Sequence, residues 1–461
     1  MTATLVLTDP LRDEIDCAAR EPLETAGVVL AALVEADGEL RLLAQEIVWV
    51  PEGAYLERHA DRLAIAASGY VPALGMAEAR GHVPLWFHTH PAEIGRPTPS
   101  AADAAVDLAI ADVFRLRANT SWYGTLIASP RPNGFAFTGR LTKEGQPTTR
   151  IERLWQVGDG WRLQRSFDAE AGEIAPLFDR NVRALGADIQ GALGDLRVGV
   201  VGVGGTGSAV GEQLVRLGVR HLTLIDVDTL SESNITRVYG STPAEVGRAK
   251  VDVARDHLSA IAPDLVCDVH QSMITLEPTA RQLAKCDLVF GCTDDNAGRL
   301  ILSRLATYLL APVIDVGVLL SSAADGALTG IDGRVTVLSP GAACLVCRDR
   351  IDLARAASEL MTADERVRLE NEGYAPALAG VEPAVVAFTT AVAAAAVNEL
   401  LERLIGYGPA PRPSEVLLRW HEREISTNTA APRVSHYCDP HSGKLGWGAR
   451  APFLEQVWPG A

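Results

Sequence analysis

Cysteine is scarce in this chain of 461 residues. It occurs seven times, an odd number, and its positions are mostly scattered. A secreted disulfide framework needs cysteines in closely spaced pairs, so this pattern predicts a protein of a reducing compartment, and we expect the cytoplasm.

Basic runs, long apolar runs and solenoid repeats are also missing. The net charge is -16. Because a chain this acidic repels the phosphates of nucleic acids, we expect no nucleic-acid partner. Residues 1–16 show no basic region followed by an apolar core and predict no signal peptide. The most apolar stretch, 383–401, is rich in alanine and leads into Glu402 and Arg403. It therefore indicates a buried helix, and we expect no membrane span.

Length and composition indicate two globular domains. Hydrophobic residues make up 48% of the chain and charged residues 22%, which is enough apolar surface for more than one core at this length. Periodic patterns fade around 146–170. We therefore expect a first domain at 1–145, a linker at 146–170 and a second domain at 171–461.

The first domain combines short strands with one amphipathic helix. Strands are predicted at 28–34 and 41–50, around a turn at Asp37-Gly38, and at 83–87, 122–129 and 134–139. Ser100 is the expected N-cap of a helix that reaches about Arg117. The pattern predicts a small α/β domain.

Strands and helices alternate in the second domain. Strands are predicted at 197–202, 221–226, 265–270, 287–292 and 312–317, and helices at 206–217, 243–261, near 277–285 and at 295–310. Apolar strands without alternation, separated by helices, predict a mostly parallel sheet covered on both faces. This is a doubly wound, Rossmann-like α/β fold.

A glycine-rich turn follows the first strand of the second domain. Gly202, Gly204 and Gly207 form the pattern G-x-G-x-x-G before a helix, where backbone amides can bind phosphate. Asp226 ends the next strand, where an acidic side chain can hold ribose hydroxyls. These residues alone fit an NAD-dependent dehydrogenase as well as an ATP-binding enzyme.

The polar residues that follow favour ATP. Asn234, Arg237 and Lys250 come just after the second strand, and a triphosphate needs such polar and cationic groups more than NAD does. Asp294 follows the fourth strand, at the sheet edge where ligands bind, and its carboxylate suits magnesium.

The segments VGVGGTGS, LIDVDTLSESNITR, VGRAK and GCTDDN resemble the ubiquitin-activating enzyme superfamily in its ThiF/MoeB-like form. The resemblance implies ATP-dependent adenylylation of the C-terminal glycine of a ubiquitin-like or sulfur-carrier protein. The nucleotide and its magnesium are then expected to be bound by Gly202, Gly204, Gly205, Gly207, Asp226, Asp228, Asn234, Arg237, Lys250 and Asp294. Among these, Arg237, Lys250 and Asp294 are the expected catalytic residues. Arg180, in the segment FDRN, is expected to reach the phosphates of the neighbouring subunit in a homodimer.

Two pairs of soft or borderline metal ligands occur late in the chain. They are Cys344-x-x-Cys347 and Cys438-x-x-His441. Together they predict a closed, tetrahedral and structural zinc site. The alternative is a set of buried thiols with a surface histidine.

No cysteine occurs between residues 348 and 437. Relatives that form a thioester commonly carry their nucleophile in this region. Cys267, Cys286 and Cys292 lie at strand or helix ends, where inert buried thiols are expected. We therefore expect catalysis to stop at the acyl-adenylate, which a conjugating enzyme or a sulfurtransferase would then capture.

Metal ligands also occur in the first domain. His88 and His90 alternate along an extended segment, so both imidazoles point the same way, and Asp103 lies one turn into the next helix. Three such ligands leave a fourth position for water, and Glu24 is a candidate base for that water. The alternative is a chance His-x-His pair on a strand.

Glu24, the run His88-x-His90-Pro91 and the run Ser100-x-x-Asp103 resemble the JAB/JAMM metalloprotease family. The resemblance implies an MPN-like fold, catalytic zinc and cleavage of peptide or isopeptide bonds after a ubiquitin-like C-terminus. It also implies that Ser100 steadies the oxyanion.

Both resemblances point to the same class of substrate. The leading interpretation is a bifunctional enzyme that releases a ubiquitin-like protein and then activates its C-terminal glycine. One alternative is a sulfur-carrier activator that trims a precursor and serves cofactor or siderophore assembly. Another is a non-catalytic scaffold that binds a ubiquitin-like protein.

Overall fold

The structure is a computed structural model, which describes residues 2–170, 172–323, 327–361 and 384–458. Two compact units divide the chain. Unit 1 comprises residues 1–172 with 446–448, and unit 2 comprises residues 173–445 with 449–461.

Unit 1 is built on a ring of strands that closes on itself. The strands are β1 (Thr2–Thr8), β2 (Ala26–Ala36), β3 (Glu39–Trp49), β4 (Tyr55–Arg58), β5 (Leu63–Ile65), β6 (Val83–Thr89), β7 (Trp122–Arg131), β8 (Gly134–Lys143), β9 (Thr149–Val157) and β10 (Arg162–Arg165). The order is β1-β3-β2-β6-β7-β8-β9-β10, and β1 also pairs with β9, which closes the ring. β4 and β5 form a separate hairpin.

Apolar side chains pack on both sides of this ring. The helices are α1 (Asp9–Arg20), α2 (Val71–Arg80) and α3 (Ala101–Arg117). One core cluster joins Leu5 and Phe137 of the strands with Ile15 of α1. A second cluster joins Trp86 of β6 with Phe114 of α3. β6 is therefore buried along its whole length, and this burial fixes the position of the histidines at its end.

The linker predicted at 146–170 is wrong. β9 and β10 occupy most of that range, and β9 completes the ring by pairing with β1. The side chain of Trp155 is fully buried, whereas several neighbouring polar residues of β9 are only partly buried. Those polar residues weaken the apolar periodicity, and for this reason the segment reads as irregular. The boundary between the units lies near residue 172.

Unit 2 contains one sheet that is parallel in its first part and antiparallel in its second. The strands are β11 (Arg197–Val201), β12 (His221–Ile225), β13 (Val266–His270), β14 (Leu288–Gly291), β15 (Val313–Ser322), β16 (Leu328–Leu338), β17 (Glu415–Arg419) and β18 (Glu424–Asn428). The order is β13-β12-β11-β14-β15-β16-β17-β18. The pairs from β13 to β15 are parallel and the later pairs are antiparallel. The predicted α/β fold with a parallel sheet is confirmed.

The helices of unit 2 follow the predicted alternation. They are α4 (Asp179–Leu185), α5 (Ala187–Asp195), α6 (Gly205–Leu217), α7 (Lys250–Ile261), α8 (Glu277–Arg281), α9 (Asn296–Tyr308), α10 (Leu353–Glu359) and α11 (Val386–Ile405). The order of the strands reverses between β11 and β14, and ligands bind at the carboxyl ends of the strands at such a switch point.

Two predicted helices have different bounds in the structure. The helix predicted at 243–261 begins only at Lys250, because Gly247 has a φ of 90°, which an α-helix excludes. The apolar stretch at 383–401 lies mostly in α11, which has a buried face and packs against α6. Pro383 lies outside the described residues. Within the described ranges, no helix combines the length with the apolarity that a membrane crossing requires.

Candidate functional site

The glycine-rich turn of unit 2 joins the end of β11 to the start of α6. Gly202 has a φ of 86°, and a Cβ at this position would lie 2.6 Å from the carbonyl oxygen of Cys292. A Cβ at Gly207 would lie 1.8 Å from the carbonyl oxygen of Gly202. The turn therefore requires glycine at both positions. Among the described residues, apart from Gly204 and its two chain neighbours, no atom lies within 4 Å of a Cβ built on Gly204, so the turn is open to a ligand there, beside the N-terminus of α6.

Asp226 ties the end of β12 to this turn. The backbone N–H of Val203 donates to its Oδ2 at 2.6 Å, and the N–H of Asp228 donates to its Oδ1 at 2.9 Å. Burial raises the pKa of Asp226, although Lys250 nearby opposes this shift. The carboxylate thus holds the turn in place, and the ribose contact that the sequence predicts for the same group stays a prediction.

Two cations lie beside the turn. Lys250 is buried, and its Nζ donates to Oδ2 of Asp228 at 2.7 Å. Arg237 donates from Nη1 to the carbonyl of Ser233 at 3.0 Å, and its Cδ lies 3.2 Å from the position of a Cβ on Gly205. A lysine has three N–H donors and an arginine five. Both side chains therefore keep donors for a phosphate.

Asn234 and Asp294 complete the predicted nucleotide set. Asn234 is buried, and its Oδ1 accepts a hydrogen bond from the backbone N–H of Ser231 at 3.0 Å. This bond shapes the loop that carries Arg237. Asp294 is exposed just after β14, whereas its neighbour Asp295 caps α9. Of these two carboxylates, Asp294 is the better placed for magnesium. It lies two residues after Cys292, whose carbonyl lies against the glycine turn.

Arg180 lies apart from this group in the first turn of α4. Its side chain is exposed. Its predicted reach into a neighbouring subunit concerns a second copy of the chain and stays a prediction.

A buried ion pair that the sequence did not predict lies at the same edge of the sheet. Arg299 of α9 donates from Nε and Nη2 to the two carboxylate oxygens of Asp315, at 2.9 and 2.8 Å. Asp315 is buried in β15, next to Gly291 of β14. A charged residue inside the apolar run PVIDVG is the signal that could have revealed it, because a buried carboxylate needs a partner.

Three cysteines and one histidine come together in unit 2. Nδ1 of His436 lies 3.5, 3.4 and 3.3 Å from the Sγ atoms of Cys344, Cys347 and Cys438, and Cys347 lies 3.6 Å from Cys438, sulfur to sulfur. We name these four residues the cysteine cluster. Tetrahedral zinc with thiolate and imidazole ligands gives ligand separations of about 3.6 Å. The residues therefore fit a zinc ion.

The fourth residue of the cluster is His436, and the prediction that His441 takes this place is wrong. His441 is exposed in a short 3-10 turn, where its backbone N–H donates to the side chain of Asp439. His436 lies two residues before Cys438, a spacing that a Cys-x-x-His pattern does not include. The three predicted cysteines do come together.

The thiols at the sheet ends do not resemble a nucleophile. Burial raises the pKa of Cys267 to about 12 and raises that of Cys292 even further. Cys286 is buried. A thiol that stays protonated at neutral pH is a poor nucleophile, which agrees with the expectation that these cysteines are inert.

In unit 1, His88 and His90 meet Asp103 at the end of β6. The two Nε2 atoms are 3.1 Å apart, and they lie 3.1 and 3.4 Å from the carboxylate oxygens of Asp103. We name these three residues the histidine cluster. Zinc held by nitrogen and oxygen at its usual bond lengths needs ligand separations of about 3.3 Å. The cluster therefore fits zinc and leaves a fourth position.

The start of α3 fixes Asp103. Ser100 is the N-cap, its Oγ accepts from the N–H of Asp103 at 3.1 Å, and its own N–H donates to Oδ2 of Asp103 at 2.6 Å. Burial would raise the pKa of Asp103, but hydrogen bonds from His88 and His90 hold it well below its usual range. The carboxylate is therefore charged, as a metal ligand must be.

Glu24 lies next to the histidine cluster. The N–H of Thr89 donates to the carbonyl of Thr25 at 3.0 Å, which continues the pairing of β2 with β6 and brings Glu24 beside His90. Oε1 of Glu24 is 4.0 Å from Nε2 of His90. Burial raises the pKa of Glu24 to about 7, against the opposing effect of His90. The structure thus brings together all the residues predicted for this site.

Comparisons with known proteins concern mainly unit 2. The pattern of the ThiF family matches residues 178–438. Molybdopterin-synthase adenylyltransferase of Escherichia coli (strain K12) is 34% identical over 178 residues, which cover 38% of this chain and 68% of that protein. Ubiquitin-like modifier-activating enzyme 5 of Caenorhabditis briggsae is 30% identical over 205 residues, which cover 42% of this chain and 44% of that protein.

Among solved structures, E. coli MccB with ATP is 16% identical, with a TM-score of 0.43, over 58% of this chain and 75% of that chain. A similarity this low says nothing about function. The family pattern, in contrast, covers more than half of the chain and contains the glycine turn, both cations and Asp294. The chain therefore belongs to the ThiF family.

Proposed function

We propose that unit 2 uses ATP to adenylylate the C-terminal glycine of a ubiquitin-like or sulfur-carrier protein. The observation that carries the proposal is the open glycine turn at the switch point of the sheet, with Arg237 and Lys250 beside it. The names of the two relatives described above indicate this chemistry. One is an adenylyltransferase for molybdopterin synthase, and the other activates ubiquitin-like modifiers.

The groups around the glycine turn have separate roles in this reaction. The glycine carboxylate attacks the α-phosphorus of ATP, and pyrophosphate leaves. Backbone N–H groups at the start of α6 bind phosphate oxygens. Arg237 and Lys250 neutralise the charge that grows on the leaving pyrophosphate. Asp294 would hold magnesium, which shields the phosphate charges when it is bound.

ATP–pyrophosphate exchange tests this proposal. Exchange should depend on a carrier protein that ends in glycine, and Asp294→Ala or Arg237→Ala should lower its rate by at least about a hundredfold, because each removes a group that stabilises the transition state. The matched controls are Asp264→Ala and Arg255→Ala, which remove partly or largely exposed surface charges. Full activity in both site variants would contradict the proposal.

The expected homodimer has its own test. If Arg180 acts on the neighbouring subunit, mixing inactive Arg180→Ala with inactive Asp294→Ala restores one complete site in each mixed dimer. Random exchange of subunits should then give about a quarter of the wild-type activity. No recovery, despite demonstrated subunit exchange, would exclude a role across the interface.

We also propose that unit 1 is a zinc peptidase that acts on the same class of carrier protein. The histidine cluster would hold zinc, which polarises a peptide carbonyl and acidifies water when it is bound. Glu24 would accept and return a proton beside it, since a carboxylate with a pKa near 7 can do both at neutral pH. Ser100 is exposed, and its Oγ accepts a hydrogen bond from the N–H of Asp103, so its own O–H would be available to donate to an oxyanion.

The peptidase proposal is tested with a ubiquitin-like protein that carries a C-terminal extension or is joined to a lysine. The full chain should contain zinc in unit 1 and release the carrier with a free C-terminal glycine. Zinc without cleavage of either substrate would favour the scaffold alternative. Absence of zinc would contradict the peptidase outright.

A further inference from the structure

Five charged side chains meet in unit 2 where the parallel part of the sheet joins the antiparallel part. We name this group the arginine cluster, and its members are Arg299, Asp315, Arg334, Arg350 and Glu415. Both carboxylates are buried. Within these five side chains three positive charges face two negative ones, and the guanidinium of Arg348 adds a further positive charge near Glu415.

Each carboxylate already has an arginine of its own. Arg299 binds both oxygens of Asp315, as described above. Arg350 donates from Nε and Nη2 to the two oxygens of Glu415, at 3.1 and 2.9 Å. These two bidentate pairs use the strongest positions on both carboxylates.

Arg334 is the remaining cation. Its Nη2 is 3.6 Å from Oδ2 of Asp315, beyond hydrogen-bond distance. Its Nε is buried and forms no hydrogen bond with any residue that the structure describes. Burial lowers the pKa of Arg334, and the neighbouring arginines lower it further, against the effect of Asp315. About a quarter of the side chain is still exposed to solvent, so an anion can reach it.

The guanidinium of Arg334 lies over β15, the strand between β16 and β14. Arg334 pairs with Gly317 across β16 and β15, and its Nη2 lies 3.7 Å from the position of a Cβ on Gly317. The side chain thus lies back across β15 toward β14. Two strand spacings, about 10 Å, separate β15 from β11 and its glycine turn. An anion bound by Arg334 would lie beside the nucleotide at the same sheet edge.

A single guanidinium without a bidentate carboxylate partner matches one carboxylate better than a polyphosphate. Arg237 and Lys250 already lie at the turn to serve the phosphates. We propose that Arg334 binds the C-terminal carboxylate of the carrier protein and holds it at the sheet edge beside ATP. This inference rests on the adenylyltransferase function proposed above.

Calorimetry with two synthetic peptides tests the proposal on the full chain. One peptide ends in Gly-Gly as the free acid, and the other is its C-terminal amide. The wild type should bind the acid at least about tenfold more tightly, because only the acid offers a charge-assisted bond. Arg334→Gln should reduce this preference to within about twofold, and Arg334→Lys should keep part of it.

The matched control is Arg419→Gln on neighbouring β17, where the guanidinium pairs with Glu424 at the surface. It should keep the full preference. Loss of affinity for both peptides alike in Arg334→Gln would indicate a structural role and overturn the proposal. A wild type without preference would overturn it too, as would a variant that keeps the preference but loses affinity for inorganic pyrophosphate.

Exchange kinetics separate this inference from the function on which it rests. In Arg334→Gln the KM for the carrier should rise at least about tenfold while the KM for ATP stays within about twofold. If the wild type shows no exchange but prefers the acid peptide through Arg334, the adenylyltransferase proposal fails and the carboxylate site stands. If exchange is normal and the KM values are unchanged in the variant, the carboxylate site fails alone.

Discussion

The two candidate metal sites of this protein differ in the number and the type of their ligands. The histidine cluster in unit 1 offers two imidazoles and one carboxylate, and Glu24 lies near it without belonging to it. The cysteine cluster in unit 2 offers three thiols and one imidazole, all within 4.8 Å of one another.

This difference in ligand number distinguishes a metal site that can catalyse a reaction from one that stabilises the fold. Four protein ligands fill a tetrahedral shell, so a metal in the cysteine cluster has no position for water and can only hold chain segments together. Three ligands leave one position free, and in the histidine cluster Glu24 lies close by. The same metal can therefore be structural in one unit and catalytic in the other.

We expect the largest effect from removing one ligand of the cysteine cluster, which should lower both zinc content and stability. Cys438→Ser should release one equivalent of zinc and lower the free energy of unfolding of unit 2 by more than about 4 kcal/mol, because the binding energy of a structural metal is folding energy. Zinc analysis and denaturant unfolding of the full chain measure both quantities. Unchanged stability together with loss of zinc would show that the cluster does not stabilise the fold.

The second prediction concerns the rate of cleavage at the histidine cluster, and we expect the stability of the fold to stay unchanged. Glu24→Gln should keep zinc but slow cleavage by about a hundredfold to ten-thousandfold, because the amide cannot accept a proton. His88→Ala should lose both zinc and cleavage, because it removes one of three ligands. A Glu24→Gln variant that cuts as fast as the wild type would refute the general base.

We expect the smallest effect from replacing His441, the histidine near Cys438 that does not belong to the cysteine cluster. His441→Ala should leave zinc content unchanged and stability within about 0.5 kcal/mol, as expected for an exposed side chain. His436→Ala, the matched variant, should lose the zinc of unit 2. Zinc loss in His441→Ala alone would restore the ligand set that the sequence suggested.

The histidine cluster could be predicted in full because its parts are local. His88 and His90 share one strand, and Ser100 and Asp103 share the first turn of one helix, so spacing alone orients each pair. The cysteine cluster could be predicted only in part. Ser435 adopts a positive φ of 61° and donates its N–H to Asp439 at 2.9 Å. Spacing rules cannot anticipate such a turn.

The arginine cluster shows the same limit. Arg299, Asp315 and Arg334 come from a helix and two strands, and each reads in the sequence as an isolated charge. Strand pairing places Arg334 near Asp315, and the packing of α9 against β15 adds Arg299. The glycine turn, in contrast, is one continuous segment, and its glycine pattern predicted its position and its shape.

By itself, the sequence determined the alternation of strands and helices in the parallel part of unit 2, where the glycine turn lies, and which local pairs of ligands share a strand or a helix. These features depend on periodicity and on residues within a few positions of one another. The tertiary structure decided the closure of the ring by β9, the choice of His436 over His441, and the meeting of Arg334 with Asp315. These features depend on packing between segments far apart in the chain, and local patterns carry no information about which distant partner gives the lowest free energy.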